Sequence, residues 1–586
     1  MCGIFLILSR LISNLPPHKL HKAITLETEN ELARRGPDFQ GKLEKDDIKL
    51  LSSVLHLRGK SLVEQPQSKD HIWFAWNGEV FGANIYGSTD YDLNANDTIQ
   101  ILDKLLTNNP LQVFSQIEGP FAFIVIDWIE EAIWFGRDFL GRRSLMIYQE
   151  NNVLQIGSIG LGEEVPTGGI FKISLRESRC EHIAWLYPGL NSPSSLRFSN
   201  EENFDEKISN ETFESILSKS VQKRVIGYGD IGILFSGGID STIIAALANR
   251  FLPENSPIYL LNVAFTSEAP DRETALQSYH ELQSACPSRN FLLICINASQ
   301  SDIDAARDHI IQLLATNDTR MDFSIGTALY FASKGEGILE STGEFINFPG
   351  KILLSGSGAD EILGGYSRYR SNFLQYLEEG VIREMSLDLD RIWHRNLGRD
   401  DRVTATHGRE LRFPFLDTYL WRFLSKLPLK EVCRFDVPHM DKWILRELAK
   451  NIGIPNAGVL KKRAIQFGTR IAQLCNIAEC GSNRKAKGWI GIENDRQSQL
   501  ESEVEWASLR LILKYLENST EDLERSIKKL LSPDIKSKEK RHIMRVYLGD
   551  YIQIMKEISI ESTVFQIRNY DIANLPNFGV NLEKYN

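Results

Sequence analysis

The sequence predicts two folded domains of different class and a helical tail. These are a sheet-dominated α+β domain over residues 2–187, an α/β domain with a parallel sheet over 211–480, and a short helical extension over 481–586. Three observations predict this. Short runs rich in branched and aromatic residues, bounded by Gly, Asn and Asp, fill the first part. After residue 211 continuous apolar strands alternate with helical windows, as in a parallel sheet covered on both faces. Beyond residue 480 a polar stretch, GSNRKAKGWIGIENDRQSQL, leads into windows of helical periodicity.

Taken in order, IFLIL, KLLSSVL, HIWFAW, FAFIVIDW, AIWFG and SLMIYQ read as strands, interrupted by helical windows at 18–34 and 97–116. Residues 188–210 are polar, with Pro, Ser and Asn, and suit a linker. Then IGILF (231–235), IYLLNVAF (258–265), FLLICIN (291–297) and KILLS (351–355) read as buried strands, with TIIAALANRF and ETALQSYHEL as helices between them. Leu509, Leu513 and Leu516, then Leu523, Ile527 and Leu530, recur at helical spacing near 503–517 and 520–531. Pro533 separates these from a last window at 536–557.

Composition narrows the function classes. Asp and Glu number 77 against 67 Lys and Arg, a net charge of −10 over 586 residues. Such a field does not favour nucleic acid or an anionic membrane. The basic cluster at 536–545 is read as a solvated face, and the tail as a helical appendage able to pack on itself or on a protein partner. The seven cysteines include no C-x-x-C pair, which predicts reduced thiols and neither a disulfide framework nor a zinc site. No run of about 18 apolar residues predicts a membrane span. MCGIFLILSR has no basic region before its apolar stretch and reads as a buried strand, so a cytoplasmic protein is expected.

Two constellations carry chemistry. Removal of Met1 would leave Cys2 first, with its own α-amine, of pKa about 7.7–8.0, beside the thiol as a general base. Arg35-Gly36-Pro37-Asp38, His56-Leu57-Arg58-Gly59, Trp76-Asn77-Gly78-Glu79, Asn96-Asp97-Thr98, Glu118–Phe123 and Gly136–Arg142 follow in order. This set resembles the class II, N-terminal-nucleophile glutamine amidotransferases over nearly all of residues 2–160. The resemblance implies an αββα glutaminase domain with Cys2 as nucleophile and the Asn77 side chain and Gly78 N–H as oxyanion donors. It further implies that Arg58 binds the glutamine carboxylate, that Asp97 accepts from its ammonium, and that Glu79 assists. Taken alone, Asn77-Gly78 would read as a type I′ hairpin turn, and Arg35–Asp38 reads as a turn that shapes the pocket. Gly82 follows Val80-Phe81 where the family often has Asn or Asp.

The second constellation is Ser236-Gly237-Gly238-Ile239-Asp240-Ser241, set between a strand and a helix. Two glycines let the backbone approach phosphate, and the helix N-terminus presents free N–H groups. Ser236 and Ser241 add hydroxyls, and Asp240 suits Mg²⁺. S-G-G-x-D-S in this setting is the signature of ATP pyrophosphatases, which cleave between the α and β phosphates. Gly227-x-Gly229-x-x-Gly232 precedes a strand and is rejected as a dinucleotide fingerprint. Gly350-Lys351 lacks the spacing of a Walker A loop.

Ser355-Gly356-Ser357-Gly358-Ala359-Asp360-Glu361, Gly364-Gly365-Tyr366 and Arg412–Asp417 complete a set that resembles the asparagine synthetase C-terminal domain over roughly 211–475. By that resemblance Phe235, Val263, Ser355 and Gly356 line an ATP pocket, Asp360 joins Asp240 at Mg²⁺, and ATP activates aspartate for amidation by ammonia. Two departures touch the chemistry. Ser357 stands where the family has a glutamate implicated in ammonia attack, and Ala464 stands at a lysine position, leaving Lys461, Lys462 or Arg463 to supply that charge. The expected activity is therefore a glutamine-hydrolysing asparagine synthetase-like ligase. A ligase on another carboxylate, or a non-enzymatic scaffold, is the alternative.

Overall fold

The run IFLIL forms the strand Gly3–Leu8, and its alternation builds the first domain from the inside. Ile4, Leu6 and Leu8 point to one face and are fully buried. Phe5 points to the other and packs on Leu32 and Ile159. The structure is a computed structural model that describes residues 2–15, 28–83, 91–150, 152–160, 162–186, 192–198, 212–227, 229–317, 319–437, 441–461 and 463–474. The three tail windows and Lys462 lie outside the described residues.

Gly3–Leu8 lies in a six-stranded antiparallel sheet between Val153–Gly157 and Ile48–Val54. A second six-stranded antiparallel sheet centres on Ala132–Arg137, Phe121–Asp127 and Ile72–Gly78. Ile4, Leu6, Leu8, Ile124, Ile126, Ile133 and Phe135 form the core between the two sheets. The helix Thr28–Arg35 covers the outer face of the first sheet through Leu32. Ile101 and Phe114 pack with Phe74 and Phe123 beyond the second. The layers therefore run helix, sheet, sheet, helix. The helical window expected at 97–116 is two helices, Asp97–Leu105 and Pro110–Phe114. Asn109 starts the second by accepting from Gln112 N at 2.9 Å, and Pro110 occupies its first turn.

The second domain holds a seven-stranded sheet. Ile231–Leu234, Ile258–Ala264, Phe291–Asn297, Ile352–Leu354 and Glu410–Arg412 run parallel. The expectation of a purely parallel sheet is corrected at one edge, where Glu336–Leu339 and Phe345–Asn347 pair antiparallel. A short hairpin joins them, with Gly343 at φ +72°, and so short a connection permits only antiparallel pairing. The chain enters the sheet at Ile231–Leu234, moves outward through four strands on one side, the last two being the antiparallel pair, then returns to lay Ile352–Leu354 on the other. The strand order thus reverses between Ile231–Leu234 and Ile352–Leu354, and ligands of such sheets bind in the crevice at that point.

Inside the stretch expected as linker, the helix Pro193–Phe198 docks on the second domain. Ser194 N donates to Asp390 at 2.8 Å, and buried Arg197 donates to Leu424 O at 2.8 Å.

The two domains meet through buried charge. Asp401 pairs with Arg35 at 2.8 Å and accepts from Ser144 N at 3.2 Å. Arg142 reaches Glu118 and Asp138, each at 2.9 Å, and donates across the seam to Leu416 O at 2.7 Å. Arg137 and Arg402 share Glu164 from opposite domains. Each of these carboxylates lost its water on folding and depends on its guanidinium partners. Asp401→Ala leaves Arg35 and Arg143 without their shared carboxylate. It is expected to lower stability by about 3–5 kcal/mol, read as a fall in the denaturant midpoint.

Candidate functional site

Cys2 precedes the central strand Gly3–Leu8, so a rigid element carries it. A Cβ on Gly3 would meet Ser53 Oγ at 2.6 Å, which only glycine avoids. Gly3 N donates to Ser53 Oγ at 3.1 Å and Ile4 N to Ser158 Oγ at 3.2 Å. Gln65 Nε2 lies 3.7 Å from Cys2 Sγ, and Gln65 is itself pinned by Trp76 N, which donates to its Oε1 at 2.7 Å. Burial pushes the Cys2 thiol up to about 11, with the chain's own α-amine pulling the other way.

Asn77-Gly78 is not a hairpin turn. It ends the strand Ile72–Gly78, where Asn77 faces Ala122 and Gly78 faces Phe121 across the sheet. Asn77 is fully buried, its Oδ1 has no hydrogen-bond partner, and its Nδ2 lies 3.5 Å from Ser158 Oγ. Ser158 therefore touches both the Cys2 strand and Asn77, a role its sequence context does not signal. A Cβ on Gly78 would meet Pro120 O at 2.6 Å.

Arg58, Glu79 and Asp97 converge beside this group. Arg58 pairs with Glu79 at 2.7 Å and donates to Val80 O at 2.6 Å, while Val80 N donates to Asp97 at 3.0 Å. Burial, then the Glu79 charge, push the Asp97 carboxyl up to about 7 against the pull of Arg58. Burial works against the Arg58 charge, yet Glu79, Asp97 and Glu410 hold that guanidinium above its ordinary value. Asp38 accepts from His56 N at 2.7 Å and pairs with Lys351 at 2.7 Å. The Arg35–Asp38 segment thus fixes the start of the His56–Gly59 turn, and Lys351, the rejected Walker lysine, is held at a carboxylate of the first domain.

At the crevice of the second domain, Ser236–Ser241 follows Ile231–Leu234 and enters the helix Ile239–Ala248. Gly237 has φ +73°, and a Cβ there would meet the Ala275 backbone at 2.5 Å. Gly238 N donates to Ser236 Oγ at 3.2 Å, and Ser241 Oγ to Gly238 O at 3.1 Å. Phe235, Val263, Ser355 and Gly356 lie at the C-terminal ends of three neighbouring parallel strands. A Cβ on Gly356 would stand 2.9 Å from Asp240 Cβ, so the two glycine loops touch. Ser357 turns to Ser355, with the hydroxyl oxygens 2.9 Å apart.

Asp240 and Asp360 sit in the first turns of the helices that follow these strands. Between them stands a residue the sequence reading missed. The buried Lys442 Nζ lies 2.6 Å from Asp240 Oδ2 and 2.7 Å from Asp360 Oδ1. The available signal was the pair of carboxylates itself, since such a pair away from water needs a cation. Arg463 donates to Thr274 Oγ1 at 3.0 Å on the helix that abuts Gly237, whereas Lys461 is exposed. Glu361 was also unforeseen: it is buried, accepts from Tyr366 OH at 2.7 Å and Asn396 Nδ2 at 3.0 Å, and burial, then Asp360, push it up to about 7. Among the described residues no helix is long and apolar enough to cross a membrane.

These two sites define a class, an amidotransferase-type chain with a glutaminase-like domain ahead of a nucleotide-loop domain. The Glutamine amidotransferase domain family matches residues 1–160, and the Asparagine synthase family matches 212–383 and 375–480. Asparagine synthetase domain-containing protein 1 of Mus musculus is 32% identical, over 83% of this chain and 99% of that protein. Its counterpart from Homo sapiens is also 32% identical, over 77% and 93%. The chain belongs to the asparagine synthetase domain-containing protein 1 family and is an asparagine synthetase-like amidotransferase. An asparagine synthetase [glutamine-hydrolyzing] of Sandersonia aurantiaca is 24% identical, over 76% of this chain and 82% of that protein.

Lys442→Met removes the cation that lies between the partly buried Asp240 and Asp360. It is expected to lower stability, read as a fall in the denaturant midpoint, because two like charges then face each other without that cation.

Proposed function

We propose that the chain hydrolyses glutamine at Cys2 and uses the ammonia to amidate a carboxylate activated by ATP, most directly that of aspartate. The observation that carries this reading is the meeting of the half-buried Cys2, which feels the Asp97 charge, with Asn77, linked through Ser158, and with the Arg58–Glu79 pair.

With Met1 removed, the α-amine of Cys2 takes the thiol proton, and the sulfur attacks the glutamine side-chain amide. Burial pushes the thiol up in the chain that still carries Met1, which is why an internal base suits chemistry near neutral pH. Asn77 Nδ2 and Gly78 N–H stabilise the tetrahedral oxyanion, and losing one such donor costs about 10²–10³ in rate. Arg58 receives the glutamine carboxylate and Asp97 its ammonium, with Glu79 holding Arg58. Ammonia leaves, and water releases glutamate from the thioester.

In the second domain the backbone of Ser236–Ser241 and the N-terminus of the following helix cradle the ATP phosphates. Phe235, Val263, Ser355 and Gly356 border the adenosine. The substrate carboxylate attacks the α-phosphate and pyrophosphate departs. Ammonia then displaces AMP and leaves an amide. Asp240 and Asp360 are the hard oxygen donors Mg²⁺ takes. When bound, Mg²⁺ would neutralise charge on the phosphates, and Asp240 and Asp360 are the residues that would hold it.

One observation favours a second reading. Ser357 offers a hydroxyl turned to Ser355 and no carboxylate, so an acid other than aspartate could be the one activated. ATP–pyrophosphate exchange across candidate acids separates the two, because exchange with aspartate alone removes this option.

Cys2→Ala is expected to abolish AMP formation driven by glutamine while sparing that driven by ammonium. Loss of neither would sink the first reading. The pH dependence has a definite sign. Only ionised Asp97 accepts from an ammonium, and its carboxyl titrates near 7, so glutamine affinity is expected to rise as pH increases through about 7. Kd for glutamine measured between pH 6 and 8 checks this against Asp97→Asn, which should flatten the profile.

A further inference from the structure

The short strand Glu410–Arg412 belongs to the synthetase domain's sheet, yet its side chains lie among the residues around Arg58. Arg412 is fully buried. Its Nη2 stands 3.6 Å from Glu79 Oε2, the same oxygen that lies 2.7 Å from Arg58. Its Nε donates to Glu410 at 2.6 Å and its Nη1 to Arg224 O at 3.0 Å, which leaves the guanidinium little freedom. The Phe81 ring takes three cations, with Arg58, Arg412 and Arg224 at 5.9, 5.4 and 4.9 Å from its centre. Glu410 is held by Arg143 at 3.0 Å, and its charge acts on Cys2, Arg58 and Asp97.

The backbone of the same strand serves the other site. Arg412 O accepts from Ser355 N at 2.9 Å, which anchors the first residue of the second nucleotide loop. Leu354 and Arg412 are register partners in the parallel ladder. One residue therefore carries the nucleotide loop on its carbonyl and a share of Glu79 on its side chain.

We infer that Arg412 is a positioning residue through which the nucleotide loop sets glutamine affinity. Glu79 bound to Arg58 alone would neutralise the guanidinium meant for a carboxylate ligand. Arg412 draws on the same oxygen, weakens that neutralisation and fixes the orientation of Glu79. A shift of Ser355 on nucleotide binding moves the Arg412 backbone, changes the Arg412–Glu79 separation and so changes the charge that Arg58 offers. By linkage, glutamine must change nucleotide affinity by the same factor. This inference rests on the proposed glutamine and ATP sites.

The test titrates glutamine calorimetrically into the full-length Cys2→Ala chain, with and without saturating ATP and Mg²⁺. ATP is expected to change glutamine Kd by at least about fivefold. Adding Arg412→Gln should bring that ratio to one and weaken glutamine about tenfold, while Arg412→Lys, which keeps the charge, restores part of the ratio. Ammonium-driven AMP formation by Arg412→Gln with Cys2 intact reports that the synthetase domain is folded. If that variant does not fold, Glu79→Gln probes the same link from the other side, with the same expected loss of coupling. Binding of both ligands with a ratio of one in the parent, or an unchanged ratio in the folded variants, overturns the inference alone. A parent that binds no glutamine removes the proposed function as well.

Discussion

A carboxylate stripped of water must be met by a cation, and the way the two domains meet that demand together organises the molecule. Asp401 and Glu410 of the second domain take guanidinium partners from the first, Glu164 of the first takes Arg402 from the second, and Arg142 crosses to a carbonyl of the second. Single hydrophobic contacts tolerate a slide of an ångström, whereas paired and oriented guanidinium bonds do not. The seam therefore fixes the relative placement of the Cys2 group and the Ser236–Ser241 loop more tightly than apolar burial would. It also does so at a cost in desolvation that a purely stabilising interface would avoid.

Within each domain the reactive groups sit on the least movable elements. Cys2 heads a strand with neighbours on both sides, and Asn77 ends another in the facing sheet. Ser158 ties the two by accepting from Ile4 N while lying beside Asn77 Nδ2. Sheet ends of this kind restrict side-chain movement, which the oxyanion role proposed for Asn77 would need. Gly3, Gly78 and Gly237 occupy places where any Cβ would strike a neighbour. Their glycines answer close approach in two cases and, at Gly237, a left-handed φ as well.

The synthetase crevice shows the same logic with opposite sign. Phosphate binding calls for positive potential, yet two carboxylates lie at the helix starts, and Lys442 compensates them from a helix start of its own. Of the three cations that could answer for Ala464, Arg463 is fixed on the helix that abuts Gly237, while Lys461 is exposed. Ser357 has no such replacement at its own position, although the buried Glu361 lies one turn further along.

What the sequence determined by itself is local. The strand runs and the Ser236–Ser241 loop between strand and helix follow from periodicity, turn chemistry and residue type at short range, whereas the grouping of Cys2 with the Arg58, Asn77 and Asp97 motifs is what the resemblance to the glutamine amidotransferases implies. Asn77-Gly78 shows where that range ends: the dipeptide favours a turn, but pairing with Ala122 and Phe121 holds it extended. The antiparallel edge at Glu336–Asn347, the division of the 97–116 window at Asn109 and the docked helix Pro193–Phe198 depend likewise on neighbours or capping. Lys442 between two aspartates, and Arg412 on Glu79, join residues hundreds of positions apart. No local pattern encodes such pairs, because a buried charge selects its partner only after the fold has excluded water and brought both into reach.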